Sequence, residues 1–596
     1  MNILGFNCYG HDSGAALIVD DEVVFAVEEE RMNRKKHFGG VPEHAIRACL
    51  DHAGLTLADI DHVAFFWKPS ISYAKIPVYL LKFWNKVPTL LREQKTFSVE
   101  ENLGMLNYLK DMKKLPETLK KLFPPAPSGT APSGTAAPAK FKFHLLEHHF
   151  CHAASAFYPT PFEDAAILTI DGAGEWTTSM LAHGKGNTIK KIGAVVTPYS
   201  LGAFYQAISR HLGFKLIEGP GKLMGLASYG NPETEIYKKM REIVTLTPDG
   251  GFKLDMSYLC YHYTRKSGVT KKFTDAFGPS KTEGKDWSAH ELDVAAAAQH
   301  IVEDVILHMV RTLKKKTGSE NLCMAGGVAL NSVANGLIAK EGLFKNIFIQ
   351  PAAGDSGTAL GAALLLNHSV LNRPRKWIME NAFLGPEYTS KQYEAAIKQS
   401  GLPYVRTENY NEFAAKKLKE DKILAWFQGR MEFGPRALGN RSIITSPLHP
   451  DMKAIVNARV KFREAFRPFA AIVLEEDCGK YFDSNFPNPY MLFVYNVRPE
   501  YLGKMPAITH VDNSVRIQTV NEKENPQLRK LLEAFKKETD CSVLLNTSFN
   551  IKGEPIVASP EDAVKSFAEA DIDYLVMGDF VVAKRGDEAN LGAALH

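Results

Sequence analysis

Two histidines four residues apart, His148 and His152 in the run Glu147-His148-His149-Phe150-Cys151-His152, carry the sharpest chemical signal in the chain. On a helix, positions i and i+4 share a face, so both imidazoles can reach one cation. The same spacing also suits a histidine cluster in a core or on a surface, and His149, one step round the helix, reads as a supporting side chain. A cation held by two imidazoles calls for an anionic oxygen. Asp355, in the turn Gly354-Asp355-Ser356-Gly357, is of the right type, although an aspartate between glycines is also simply a turn former.

Anion chemistry is written elsewhere. The stretches 10–14, 171–175, 219–225, 325–327 and 353–357 combine glycine with small residues, which lets backbone N–H groups approach phosphate oxygens. Glu218-Gly219-Pro220-Gly221-Lys222 adds a cation to one of them. Further on, Arg430, Arg436 and Arg441 lie among glycines after the apolar run Ile423–Phe427. Lys461, Arg463, Arg467 and Arg516 follow, and guanidinium forks bind phosphate and carboxylate bidentately. A solvated charged face gives the same composition, but so many arginines near glycines favour a polyanion pocket. Asn546-Thr547-Ser548-Phe549-Asn550 ends a strand in amides and hydroxyls suited to a polar ligand or to a capped turn.

Strands and turns must position these groups. Residues 3–30 read as strand, polar loop, strand, tight turn at Asp20-Asp21, and strand. Ala165–Val196 repeats that hairpin pattern, so the sequence predicts a duplicated unit. Residues 68–140 read as an inserted helical lobe with Trp67, Tyr79, Phe83 and Trp84, aromatics whose helical spacing fits either a core or an acceptor pocket. The insert ends in a near-repeat of Ala-Pro-Ser-Gly-Thr that cannot build a core. A break at Asn372-Arg373-Pro374-Arg375 marks a domain boundary, giving domains 1–375 and 376–596.

At 596 residues the chain exceeds one hydrophobic core. With 45% hydrophobic and 23% charged residues it falls in the soluble globular class. The net charge of +4 comes from 71 basic and 67 acidic residues spread along the chain, without a basic stripe, so nucleic acid is not expected as a partner. Seven cysteines without a CxxC pair imply reduced thiols and a cytoplasmic location. No leader and no apolar run of about 18 residues is apparent, so no membrane association is expected.

Taken together, in order, these motifs resemble the O-carbamoyltransferase family that includes the nodulation-factor and aminoglycoside-antibiotic enzymes. They are His11-Asp12-Ser13, His148-x-x-x-His152, Lys222-Leu223-Met224-Gly225, Gly326-Gly327-Val328-Ala329-Leu330-Asn331, Gly354-Asp355-Ser356-Gly357-Thr358, Gly434-Pro435-Arg436-Ala437-Leu438-Gly439 and Asn546-Thr547-Ser548-Phe549-Asn550. The resemblance implies an α/β chain: a duplicated actin-like ATPase (ASKHA) domain with a helical insert, then a smaller α/β domain similar to threonylcarbamoyl-adenylate synthases. It implies that ATP and carbamoyl phosphate form carbamoyl-adenylate in the second domain. The first would then transfer the carbamoyl group to a hydroxyl of a small metabolite.

By the same resemblance, His148, His152 and Asp355 would hold Fe²⁺ or another divalent metal, Mg²⁺ would accompany ATP, and His11, Asp12 and Lys222 would be catalytic. Asp171, Gly172, Gly174, Lys222, Gly225, Gly326, Gly327 and Asn331 would line the adenylate. Arg436, Arg441, Lys461, Arg463, Arg467, Arg516, Asn546 and Ser548 would bind carbamoyl phosphate and ATP. A homodimer is the family-like expectation. The rivals are a tRNA threonylcarbamoylation enzyme and an actin-like sugar kinase or nucleotide-gated interaction protein.

Overall fold

Strands β1 (Asn2–Asn7), β2 (Gly14–Val19) and β3 (Glu22–Glu28) are short runs in which almost every side chain is buried, the pattern of strands covered on both faces. The β2–β3 turn uses Asp20 and Asp21 with φ of 49° and 76°, a left-handed pair that aspartate tolerates. The computed structural model describes residues 1–86, 88–89, 111–124, 139–264, 267–284, 286–484 and 486–594. Most of the Ala-Pro-Ser-Gly-Thr repeat and the apolar spacing around Met105–Leu109 lie outside the described residues.

The chain divides into two compact units, Met1–Glu29 with His37–Ile378, and Glu30–Lys36 with Met379–His596. In the first unit, β1 pairs antiparallel with β2 and parallel with β4 (His62–Phe65), which runs parallel to β5 (Lys142–Leu145). The sheet order is β3-β2-β1-β4-β5. After a second hairpin of β6 (Asp164–Ile170), β7 (Thr177–Lys185) and β8 (Thr188–Val196), a small ribbon forms from β9 (Val244–Leu246) and β10 (Phe252–Leu254). Then β11 (Asn321–Ala325) and β12 (Asn346–Ile349) add in parallel to β6.

The second sheet is β8-β7-β6-β11-β12, the same arrangement repeated. This is the doubled layout of an actin-like domain. In such sheets ligands gather beyond the carboxyl ends of the parallel strands. Residues 8–13, 146–152, 171–175, 326–331 and 350–355 follow those ends.

Two helices set the geometry there. Helix His148–Phe157 is buried along its length. Helix Ser356–Leu364 packs against it so closely that a Cβ at Gly361 would stand 1.9 Å from the Cys151 carbonyl oxygen. That contact fixes Asp355, at the start of one helix, relative to His148 and His152 on the other. The insert contributes helices Pro69–Lys82 and Leu115–Leu122. Of its aromatics Trp84 is 75% exposed, while Tyr79 and Phe83 are half-buried with their rings tilted 4.9 Å apart.

The second unit is built on nine strands: β13 (Tyr404–Arg406), β14 (Leu424–Phe427), β15 (Arg441–Thr445), β16 (Ala470–Leu474), β17 (Val494–Asn496), β18 (Ser514–Val520), β19 (Val543–Ser548), β20 (Tyr574–Met577) and β21 (Phe580–Ala583). Their order is β13-β21-β20-β14-β15-β19-β16-β18-β17. The register aligns Ile444, Asn546, Ala470 and Arg516 in one row across four strands. The segment Glu30–Lys36 belongs here: Arg31 donates to the Gly434 carbonyl at 2.9 Å, and Arg34 to the Ile556 and Pro555 carbonyls at 2.6 and 3.0 Å.

Gly361→Ala should destabilise the chain by about 1–3 kcal/mol through forced separation of the two helices. A denaturant midpoint equal to that of the unsubstituted protein would contradict this packing.

Candidate functional site

In the first unit four ligand atoms converge. His148, His152, Asp171 and Asp355 each offer one, and these lie within 4.8 Å of one another. The two imidazole Nε2 atoms are 3.1 Å apart. Asp171 Oδ2 lies 3.1 Å from His148 Nε2 and 3.4 Å from that of His152. Asp355 Oδ1 is 3.8 and 3.7 Å from them. Both imidazoles are fully buried.

Burial opposes charge on His152, but hydrogen bonds to Asp171 and Asp355 more than offset it, raising its pKa to about 9. The same imidazoles hold Asp171 well below the usual carboxylate range against its own burial. The cluster therefore concentrates negative charge around two nitrogens that face each other. A two-imidazole, two-carboxylate donor set at this spacing fits a divalent transition metal.

The supports are local. Asp171 follows β6 and accepts from the Gly327 N–H at 3.0 Å. Gly326 has φ of 90°, and a Cβ there would meet the Ile170 carbonyl oxygen at 2.2 Å, so only glycine lets the β11 turn lie against β6. Glu175 accepts from the first helical N–H, that of His148, at 3.1 Å and from Lys68 N at 2.7 Å. Burial pushes the Glu175 carboxyl up to about 7. His149 turns away to Thr169 at 2.7 Å, and burial holds its pKa far down.

The Asp12 carboxylate bridges two imidazoles, His11 at 2.9 Å and His37 at 2.7 Å. Burial works against charge on His11, yet Asp12, Asp355 and Asp171 raise its pKa to about 10. Asp355 is close to this loop, since a Cβ on Gly10 would lie 3.2 Å from its Oδ2.

The remaining residues assigned by resemblance are placed as follows. Asp171, expected beside the adenylate, sits in the imidazole cluster. The stretch expected as a phosphate-binding turn around Lys222 is instead part of helix Gly219–Ala227, with Pro220 in its first turn, Leu223 and Leu226 buried, and Lys222 3.7 Å from Glu218. Gly225 is buried within it. Asn331 caps helix Ser332–Glu341 and forms a reciprocal amide pair with Gln299, both bonds 3.0 Å. Gly172 has open space around it, whereas Gly174 lies against His148 and His149.

The second unit holds the opposite charge pattern. Glu432 Oε1 accepts from the N–H groups of Leu438, Asn440 and Arg441 at 2.8, 2.8 and 3.0 Å, wrapping the loop that presents Arg436. Asn546 and Gln518 hold that loop through the Ala437 and Leu438 carbonyls. Burial and Arg467 lower the Arg436 pKa to about 10, and burial and Arg467 lower that of Arg463 to about 9. Burial drives Arg516 well below its ordinary value, with Arg436, Arg463 and Arg467 adding to it. Lys461 is also driven far down, by burial and then by Arg463, Arg467 and Lys36.

The Nε atoms of Arg436 and Arg516 are buried without a hydrogen-bond partner among the described residues. Part of each of the Arg436, Arg463 and Arg516 side chains stays open. Lys461 donates to Ser548 and to Asn550 Oδ1, the latter at 2.8 Å. Arg441 stands apart: stacked 3.6 Å over Phe427, its guanidinium donates to the Gln428 and Gly429 carbonyls and braces the loop. His37, Glu432 and Lys36 escaped the sequence reading.

The family model described as the carbamoyltransferase N-terminus matches residues 2–364, and that for the C-terminus matches residues 415–584. The chain belongs to the carbamoyltransferase family. This carbamoyltransferase is 42% identical to an uncharacterised protein of Synechocystis sp. over 98% of its own length and 97% of that protein. It is 34% identical to nodulation protein NolNO of Sinorhizobium fredii, over 97% of this chain and 80% of that one. It is 29% identical to the 3'-hydroxymethylcephem-O-carbamoyltransferase of Amycolatopsis lactamdurans, over 74% of this chain and 80% of that one. Component A of the Acidaminococcus fermentans (R)-2-hydroxyglutaryl-CoA dehydratase aligns with 61% of this chain and 96% of its own, at 14% identity and a TM-score of 0.31. No described helix is long and apolar enough to cross a membrane.

A divalent cation entering the imidazole cluster must displace the proton that His152 holds up to about pH 9. Binding should therefore tighten as pH rises from 6.5 to 8.5, by about tenfold per unit for each proton released. A calorimetric affinity that is flat across that range would contradict the geometry.

Proposed function

We propose that this carbamoyltransferase forms carbamoyl-adenylate from ATP and carbamoyl phosphate in its second unit and passes the carbamoyl group to a hydroxyl of a small metabolite in its first. The observation that carries the reading is the group of mutually repelling cations Arg436, Lys461, Arg463, Arg467 and Arg516, which asks for more negative charge than one phosphate brings. A triphosphate together with carbamoyl phosphate supplies it.

The products fix the atom balance. Releasing both phosphate and pyrophosphate requires one water: it frees carbamate from phosphate, and a carbamate oxygen then bonds to the α-phosphorus as pyrophosphate leaves. Charge builds on the departing pyrophosphate, where Arg436, Arg516 and Lys461 stabilise it. Asn546 holds the Arg436 loop and Ser548 holds Lys461, so these two act as positioning residues.

In the first unit, His148, His152, Asp171 and Asp355 would hold the metal, with Fe²⁺ the family-like choice. A cation held there would supply Lewis-acid polarisation to the oxygens of the mixed anhydride. The acceptor hydroxyl oxygen bonds to the carbamoyl carbon, the bond from that carbon to the phosphate oxygen breaks, and AMP leaves. His11 faces the same region. Its imidazole is the group placed to take the proton from the acceptor hydroxyl. Asp12, anchored by His37, keeps that ring aligned.

Purified protein with ATP, carbamoyl phosphate and Mg²⁺ should release pyrophosphate without an acceptor. Arg516→Ala should lower that rate by about 100-fold or more. A folded preparation that releases none, or an Arg516→Ala variant as fast as its parent, would refute the assignment of the second unit. His152→Ala should keep pyrophosphate release within about twofold while carbamoylation of a hydroxylated acceptor disappears; equal loss of both steps would overturn the division of labour.

A further inference from the structure

Helix Pro69–Lys82 of the insert, with the short turn Trp84–Lys86 that follows it, is amphipathic in the reverse of the usual sense. Lys75, Tyr79, Lys82, Phe83 and Lys86 have the spacing of one helix face, and that face is turned toward the body of the first unit. Lys75 Nζ stands 5.7 Å over the Trp176 ring, Lys82 Nζ 5.5 Å over Tyr199 and Lys86 Nζ 4.8 Å over Tyr263. The Tyr79 hydroxyl donates to the His262 carbonyl, and the Phe83 ring lies 4.8 Å from the His262 imidazole. Ammonium groups over aromatic rings thus hold the helix where leucines ordinarily would.

The aliphatic side chains face solvent instead. Val78 is 49% exposed, Leu80 42% and Leu81 79%, and Trp84 continues the same bare surface. Leu81 lies one helical turn from Val78, so the patch is contiguous. A contiguous apolar face left uncovered by polar docking marks a surface that binds something.

Charge restricts what that is. Residues 68–140 contain twelve basic and five acidic residues, a net of +7 where the whole chain carries +4, and no acidic residue occurs from His62 to Arg92. Lys75, Lys82 and Lys86 have no carboxylate partner among the described residues. The partner is therefore anionic as well as apolar. A second copy of this chain would bring the same positive excess to a two-fold contact, which counts against it. Size counts against a folded protein: a helix of 14 residues is about 21 Å long and about 10 Å across, so its outer face offers about 200 Å², a quarter of the roughly 800 Å² that a stable protein interface buries on each side. An anionic bilayer needs no matching shape, takes leucine and tryptophan side chains about 5–10 Å deep and attracts lysines held just outside it.

We propose that the outer face of helix Pro69–Lys82, with Trp84, docks the first unit onto an anionic lipid surface. The sequence-based expectation of no membrane association rested on the lack of a leader and of a long apolar run, neither of which a helix lying in the interface requires. This surface is independent of the reaction proposed above.

The test is flotation of the full-length protein with vesicles of phosphatidylcholine alone and of phosphatidylcholine mixed about 2:1 with phosphatidylglycerol. The protein should partition onto the mixed vesicles at least about tenfold better than onto the neutral ones, and Lys82→Gln should weaken that partition about fivefold. Leu81→Ser and Trp84→Ser, both at exposed positions, should each weaken it about tenfold or more. The Trp84 emission, taken as the difference between the protein and its Trp84→Phe variant, should move to shorter wavelength on the mixed vesicles. Failure of the unsubstituted protein to prefer the mixed vesicles, or a preference that both serine substitutions leave intact, would overturn the proposal. Trp84 emission already at short wavelength without vesicles would overturn it too, because the protein would then cover the face itself. A dimer that dissociates on Leu81→Ser, in a protein that ignores vesicles, would assign the face to a second copy instead.

Discussion

Like charges packed together in a protein repel through a medium far less screening than water, and the second unit gathers Arg436, Lys461, Arg463 and Arg516 around Arg467, their proton affinities lowered first by burial and then by the neighbouring cations. Such a cluster is a standing electrostatic debt of the fold unless an anion fills it. Much of the surrounding architecture serves to hold the cations in spite of this repulsion. Glu432 uses its carboxylate on backbone N–H groups, bracing the loop that carries Arg436, while Arg463 rests 4.3 Å over Phe469. The sheet register brings Asn546 into line with Arg516.

The first unit presents the complementary problem. There two carboxylates and two facing imidazoles converge in one cluster of a kind that could hold a metal ion. The pairing of a cation-seeking centre with an anion-seeking one in a single chain suits a reaction that activates a carbamoyl donor with nucleotide and then polarises the activated species. A mixed anhydride is labile in water, so on the proposed reading forming it in the chain that consumes it would favour transfer over hydrolysis.

The parts of this arrangement that are local in sequence were legible. The i, i+4 histidines lie on one helix, Asp355 joins them, and both hairpins have the expected strands with Asp20-Asp21 as a left-handed turn. What escaped was set by pairing across long separations. Asp171 reaches His148 because β6 ends beside helix His148–Phe157, and nothing in its loop distinguishes a metal-type ligand from a nucleotide-type one. The basic run Arg31–Lys36 is 403 residues from Gly434, to which Arg31 bonds, so no window of sequence joins them. Gly219-Pro220-Gly221 has the composition of a turn, yet buried Leu223 and Leu226 and a proline in the first turn make it a helix. His37 gave no signal beyond its type; only the fold brings it to Asp12.

The central claim is that one activated species, carbamoyl-adenylate, links the two centres. Direct detection tests it best: His152→Ala protein, mixed with ATP and ¹³C-carbamoyl phosphate and quenched rapidly, should accumulate a ¹³C-labelled carbamoyl-AMP resolved by mass spectrometry. If the label instead stays on carbamoyl phosphate, or appears on the protein itself while AMP is absent, the account is wrong.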